Sequence, residues 1–172
     1  MMKMLSPRET FDRQLNELKD QLLVLGSMVE QITLDAVDAL KRRDVEAARS
    51  AYQYDQQIND KRFEIESACI TIIATQQPIA GDLRFLASAL EVATELERMG
   101  DYAKGIARIC LLLKNQPPVK PITDLPRMAE LATDMLHRAL GAFVAADAVQ
   151  SAIIPQDDDA VDDLYNQINR AL

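Results

Sequence analysis

Three pairs of oxygen-bearing side chains recur one helical turn apart. Glu97 and Asp101 lie in ELERMGDYAKGIARI, Asp55 and Asn59 in AYQYDQQIND, and Asp158 and Asp162 in QDDDAVDD. Converging oxygen ligands suit hard cations such as magnesium, and carboxylates also serve iron and zinc. Without a ligand such pairs are a flaw. Carboxylates at i and i+4 repel by roughly a few tenths of a kcal/mol on an exposed helix, and Gly100, between Glu97 and Asp101, costs about 1 kcal/mol relative to alanine. A bound cation offsets the repulsion, and a glycine lets a helix or a partner approach closely. The competing reading is a solvated acidic face, with Arg98 pairing with neighbouring acids.

The elements that must position these pairs read as long amphipathic helices. Ser6-Pro7 has the form of an N-cap followed by proline at the first helical position. From there Phe11, Leu15, Leu18, Leu22, Leu25, Val29, Ile32, Ala36 and Leu40 recur at steps of three and four, an apolar stripe along one helix. Asp44 can cap a second helix, whose inward line is Ala51, Ile58, Ile65, Cys69 and Ile72, interrupted by Asp55 and Arg62. QQPIAGDLR, Gln76 to Arg84, reads as a tight turn. A third helix follows to about Lys114, with Leu83, Leu86, Leu90, Ala93, Leu96, Ala103, Ile106, Cys110 and Leu113 inward. Three long helices with short connections imply an antiparallel bundle over residues 1–114. The Asp55/Asn59 and Glu97/Asp101 pairs are both centred about 21 residues, roughly 30 Å of helix, from Pro78 in the turn. The hairpin therefore brings them to the same height.

NQPPVKPITDLP, Asn115 to Pro126, holds four prolines and reads as a linker. A fourth helix is expected from about Arg127 to Ala146, and a fifth from near Asp147 to the chain end. The two halves repeat. Asp44 and Asp147 each open a helix, Asp55 and Asp158 each lie eleven residues further on, and the offset between halves is 103 residues throughout. Under it Ile32 falls on Met135, Ala36 on Ala139 and Leu40 on Phe143. The expected fold is all-α, two tandem three-helix bundles. The second, residues 127–172, holds two of its three helices, so the sequence reads as a piece of a longer protein.

Composition narrows the function. The chain has 172 residues, is 27% charged, carries a formal net charge of -8 and has no tryptophan. Phosphate-rich nucleic acids and anionic membrane surfaces repel such a chain, so neither is an expected partner. No apolar run approaches the roughly 18–20 residues needed to cross a bilayer. MMKMLSPRET lacks the apolar core of a signal peptide, which points to the cytoplasm. Cys69 and Cys110 sit apart among apolar neighbours and read as buried reduced thiols. The single histidine, His137, makes one Asp-x-x-His with Asp134, and a ferritin-like di-metal site needs two such motifs. His137 reads instead as partly buried and hydrogen-bonded. No nucleophile pairing and no glycine-rich phosphate loop stands out, so no catalytic residue is assigned and an enzyme is not expected.

ELERMGDYAKGIA, QQPIAGDLR and GSMVEQITLDAVDAL together resemble the PhoU family, regulators of bacterial phosphate uptake, over nearly the whole chain. The resemblance implies two similar three-helix bundles side by side, in agreement with the repeat. It also implies E(D)xxxD metal motifs, holding iron or zinc clusters in some members and magnesium or similar ions in others. By position these are Asp55 with Asn59, Glu97 with Asp101, and Asp158 with Asp162; a fourth would lie beyond Leu172. Asn59 departs from the aspartate often found there and lowers the charge of its motif by one.

The resemblance further implies a cytoplasmic adaptor, often a homodimer, that links the ATPase subunit of the phosphate ABC transporter to a membrane sensor histidine kinase. With ample phosphate it would keep the starvation response off. Two other classes remain open: a metal-free helical interaction module, and a metal-storage or redox protein using the same carboxylates.

Overall fold

The computed structural model describes residues 7–114, 116 and 124–171. Ser6 and most of the proline-rich segment lie outside them. Helices α1 (Pro7–Arg42), α2 (Val45–Gln76) and α3 (Ala80–Leu113) form an antiparallel three-helix bundle. The apolar line of α1 is its spine. Leu18, Leu22, Leu25, Val29, Ile32 and Ala36 are all but inaccessible to solvent, and Leu15 packs against them. Each such Leu or Ile contributes about 1.5–3 kcal/mol through burial. Ala51, Ile58, Ile65, Cys69 and Ile72 face it from α2, and Leu86, Ala93, Leu96, Ala103 and Cys110 are buried on α3. Leu83 departs from the expected line: it is exposed, and Phe85 takes the packed position at that end of α3. Arg62 interrupts the α2 line without a buried charge, because its guanidinium lies 4.1 Å over the Phe63 ring and pairs with Glu66 at 3.0 Å.

The α2–α3 turn is tighter than QQPIAGDLR suggests. Only Gln77, Pro78 and Ile79 separate the helices, and Gly81 to Arg84 already belong to α3. Gln77 closes α2 in the left-handed conformation, its N–H donating to the Ile73 carbonyl. Asp82 lies in the first turn of α3, where a negative charge suits the helix dipole, and pairs with Arg8 of α1 at 3.5 Å.

α4 (Asp124–Ala145) begins three residues before the expected start. Pro126 falls in its first turn, where a missing N–H costs no helical hydrogen bond. α4 lies antiparallel on α1. Leu125 packs beside Leu40 and Cys110, Leu140 covers Gly26, and Phe143 stacks on Phe85 with ring centroids 5.4 Å apart. Its buried residues, Ala129, Thr133, Leu140 and Ala142, differ from the positions the repeat projects: Met135 and Phe143 are half-buried and Ala139 is exposed.

The expected single fifth helix is broken. α5 (Ala148–Ile153) passes through a 3-10 turn at Ile154–Asp157 into α6 (Asp158–Ala171). Pro155 is the cause, since its ring clashes with the carbonyl four residues back and it has no N–H to donate. α6 packs on α4.

The repeat is visible in the backbone. At the end of α1, Asp44 N–H donates to Ala39 O at 2.9 Å and Arg43 N–H to Leu40 O at 3.3 Å, with Arg43 at φ 57°. At the end of α4, 103 residues on, Asp147 N–H donates to Ala142 O at 2.8 Å and Ala146 N–H to Phe143 O at 3.1 Å, with Ala146 at φ 54°. Both are Schellman turns. In both, the aspartate then caps the next helix, Asp44 accepting from Ala47 N–H at 3.0 Å and Asp147 from Gln150 N–H at 2.9 Å.

Candidate carboxylate site between α2 and α3

Helices α2 and α3 approach each other closely at Gly100. Gly100 is buried against Ile58; a methyl group at Gly100 would stand 3.1 Å from Ile58 Cδ1 and 3.2 Å from its Cγ2. The glycine between Glu97 and Asp101 therefore lets α3 settle onto α2. The two acidic pairs stand level there, as their equal distances from the turn require.

Asp55 is the centre of the arrangement. It is 4% exposed on a helix whose neighbouring inward positions are all apolar. Its Oδ2 accepts from Lys104 Nζ at 2.6 Å, across from α3, and from Asn59 Nδ2 at 3.3 Å. The Asn59 amide also donates to the Asp55 carbonyl at 3.2 Å, so its nitrogen end faces the acid. Asp55 Oδ1 is buried and has no hydrogen-bond partner. Lys104 Nζ lies 3.8 Å from Asp101 Oδ1 and 5.5 Å from the centre of the Tyr52 ring. The hydrogen bond to Asp55 holds the Lys104 ammonium above its ordinary pKa, against a smaller opposing effect of burial; the charges of Asp55 and Asp101 act with the hydrogen bond. The ammonium is thus charged throughout the neutral range, joining α2 to α3 and neutralising a carboxylate that burial would otherwise penalise.

Of the residues singled out from the sequence, Asp55, Asn59 and Asp101 meet here. Glu97 is half-buried and one turn away on the same helix. Asp158 and Asp162 are exposed on α6. Nearby Asp157 pairs with Arg138 of α4 at 2.5 Å, and Arg138 also holds Asp134 at 2.8 Å. Among the described residues, no three His, Cys, Asp or Glu side chains come together closely enough to hold a metal ion. The residue that sequence reasoning passed over is Lys104. Its signal was present: it follows Asp101 by three residues, and the hairpin register that aligns Ile58 with Gly100 places it opposite Asp55.

His137 hydrogen-bonds through Nδ1 with Glu30 at 3.3 Å, as expected, but its side chain is exposed and not partly buried. Both cysteines are free and buried. Burial pushes the Cys69 thiol up to about 11, with a smaller upward push from Glu66. Cys110 is also raised by burial, and its Sγ donates to Ala39 O at 3.4 Å. Among the described residues no helix is long and apolar enough to cross a membrane.

Fold and site define an all-α bundle protein built on a duplicated helical unit, with an acidic node tied by one lysine. The chain matches the PhoU-domain family model over residues 22–110 and 125–172. It is 34% identical to the phosphate-specific transport system accessory protein PhoU homologue of Aquifex aeolicus over 160 residues, 93% of this chain and 72% of that protein. It is 33% identical to the Edwardsiella tarda PhoU over 94% of this chain and 67% of that one. The crystal structure of the phosphate transport system regulatory protein PhoU from Streptococcus pneumoniae superposes with a TM-score of 0.82 at 34% identity, covering 91% of this chain and 74% of that one. PhoU from Pseudomonas aeruginosa gives 0.85 at 31% identity, covering 94% and 78%. The chain belongs to the PhoU family.

Proposed function

We propose that this protein is a regulatory adaptor of phosphate uptake, acting in the cytoplasm as a homodimer. In this reading it links the ATPase subunit of a phosphate ABC transporter to a sensor histidine kinase and keeps the starvation response off when phosphate is ample. It binds its partners and catalyses no reaction. The observation that carries the reading is the match, in sequence and fold, to phosphate-transport accessory and regulatory proteins along 91–94% of this chain. The surface suits an adaptor. Long helices present exposed apolar side chains, Phe63, Ile70, Tyr102, Ile109 and Leu112 among them, beside acidic turns, a mixture able to dock on other proteins.

The test is genetic. Deleting the gene should switch on a phosphate-starvation reporter in high-phosphate medium, and restoring it should silence the reporter. A reporter that stays off in the deletion strain sinks the reading. Sedimentation of the purified protein tests the dimer independently.

A further inference from the structure

We infer that Lys104 takes the place of a bound cation at the α2–α3 node. Its ammonium supplies to Asp55 and Asp101 the positive charge that a metal ion would otherwise bring, so this half of the molecule holds its buried carboxylate without metal. The geometry carries the inference. Nζ lies 2.6 Å from Asp55 Oδ2 and 3.8 Å from Asp101 Oδ1, between the two carboxylates that would be the first ligands of a metal here. Asn59 turns its NH2 toward Asp55, so it acts as a second donor to the acid. The amide oxygen that a hard cation would need is directed elsewhere. A divalent ion on the remaining Asp55 oxygen would stand within a few ångströms of a fixed ammonium, and like charges that close repel strongly.

The buried, unpartnered Asp55 Oδ1 shows what one ammonium leaves undone. It is also the atom on which a cation would settle once the lysine is gone. The α6 counterpart differs: Asp158, at the offset of the repeat, is exposed, and no lysine among the described residues reaches it. The inference concerns charge balance within the bundle and does not depend on the adaptor reading.

The test uses the full chain in an Asp158→Asn/Asp162→Asn background, so that only the α2–α3 node can respond. Metal content is measured after purification without chelator, and the unfolding midpoint is read with EDTA, Mg2+, Mn2+ or Zn2+. The parent and Lys104→Arg should carry no stoichiometric metal and melt at the same temperature under every condition. Lys104→Ala should melt lower in EDTA, recover with a divalent ion and bind that ion about tenfold or more tightly than the parent, since the competing charge is removed. Should Lys104→Ala not fold, the neutral pair Lys104→Gln/Asp55→Asn should fold and remain indifferent to metal. Stoichiometric metal in the parent that disappears on Asp55→Asn overturns the inference. So does a folded Lys104→Ala protein that is blind to cations, whatever its stability in EDTA.

Discussion

The seating of α4 on α1 turns on one pair, Gly26 and Leu140, and its energetics can be worked from the structure. A methyl group at Gly26 would lie 2.1 Å from Leu140 Cδ1. Carbon atoms in contact prefer about 3.5–4.0 Å, so Leu140 would have to withdraw by roughly 1.4 Å. Leu140 is 5% exposed and part of the main core, which leaves it little room. Overpacking of this kind costs about 1–3 kcal/mol, and replacing glycine within a helix returns about 1 kcal/mol. Gly26→Ala should therefore destabilise by about 0–2 kcal/mol. Leu140→Ala should cost about 2–5 kcal/mol, because a buried side chain is lost over a glycine that cannot fill the space. In the double variant the new methyl enters the vacated volume without a clash and the helix gain remains. Its loss should fall short of the sum of the single losses by about 1–3 kcal/mol. Urea unfolding of the four proteins measures this coupling. Gly105→Ala and Gly141→Ala serve as controls: nothing lies within 4 Å of either added methyl, and each should gain about 0.5–1 kcal/mol. Losses that add within about 0.5 kcal/mol would refute the reasoning.

Two further predictions concern the caps and the buried thiols. Asp44→Ala and Asp147→Ala should each destabilise by about 1 kcal/mol, while Asp44→Asn and Asp147→Asn stay close to wild type, because an amide oxygen can still accept the capping N–H; equal losses in the Ala and Asn variants, measured by thermal unfolding, would show that the cap is not the cause. Cys69 is lifted from 9.0 to about 11, so above pH 9 the unfolded chain releases a thiol proton that the native protein keeps. The stability from Cys69 is fully present below pH 9 and fades as pH rises toward 11, by up to about 2.7 kcal/mol. Unfolding free energies at pH 8 and pH 10.5 should show a smaller alkaline loss in Cys69→Ala than in wild type, and identical losses would count against burial of the thiol.

The sequence by itself determined the helices and most of their inward faces. An apolar residue every three or four positions can be buried only on one side of a helix, and the α1 stripe is buried almost residue for residue. It also determined the duplicated turns, since a capping aspartate after a residue at positive φ is a local device that each half carries complete. The level placement of the acidic pairs followed from helix rise and hairpin length alone. Tertiary structure decided what cannot be read one helix at a time. Whether Asp55 is an exposed acid or a buried one depends on α3 lying over it. Which charge answers it depends on a lysine 49 residues away in the chain. Leu140 belongs to the first bundle's core because α4 docks on α1, a contact between helices that the periodicity of either one cannot assign. Gly100 and Gly26 look alike in sequence, two small residues in long helices. Only packing shows that Ile58 presses on one and Leu140 on the other.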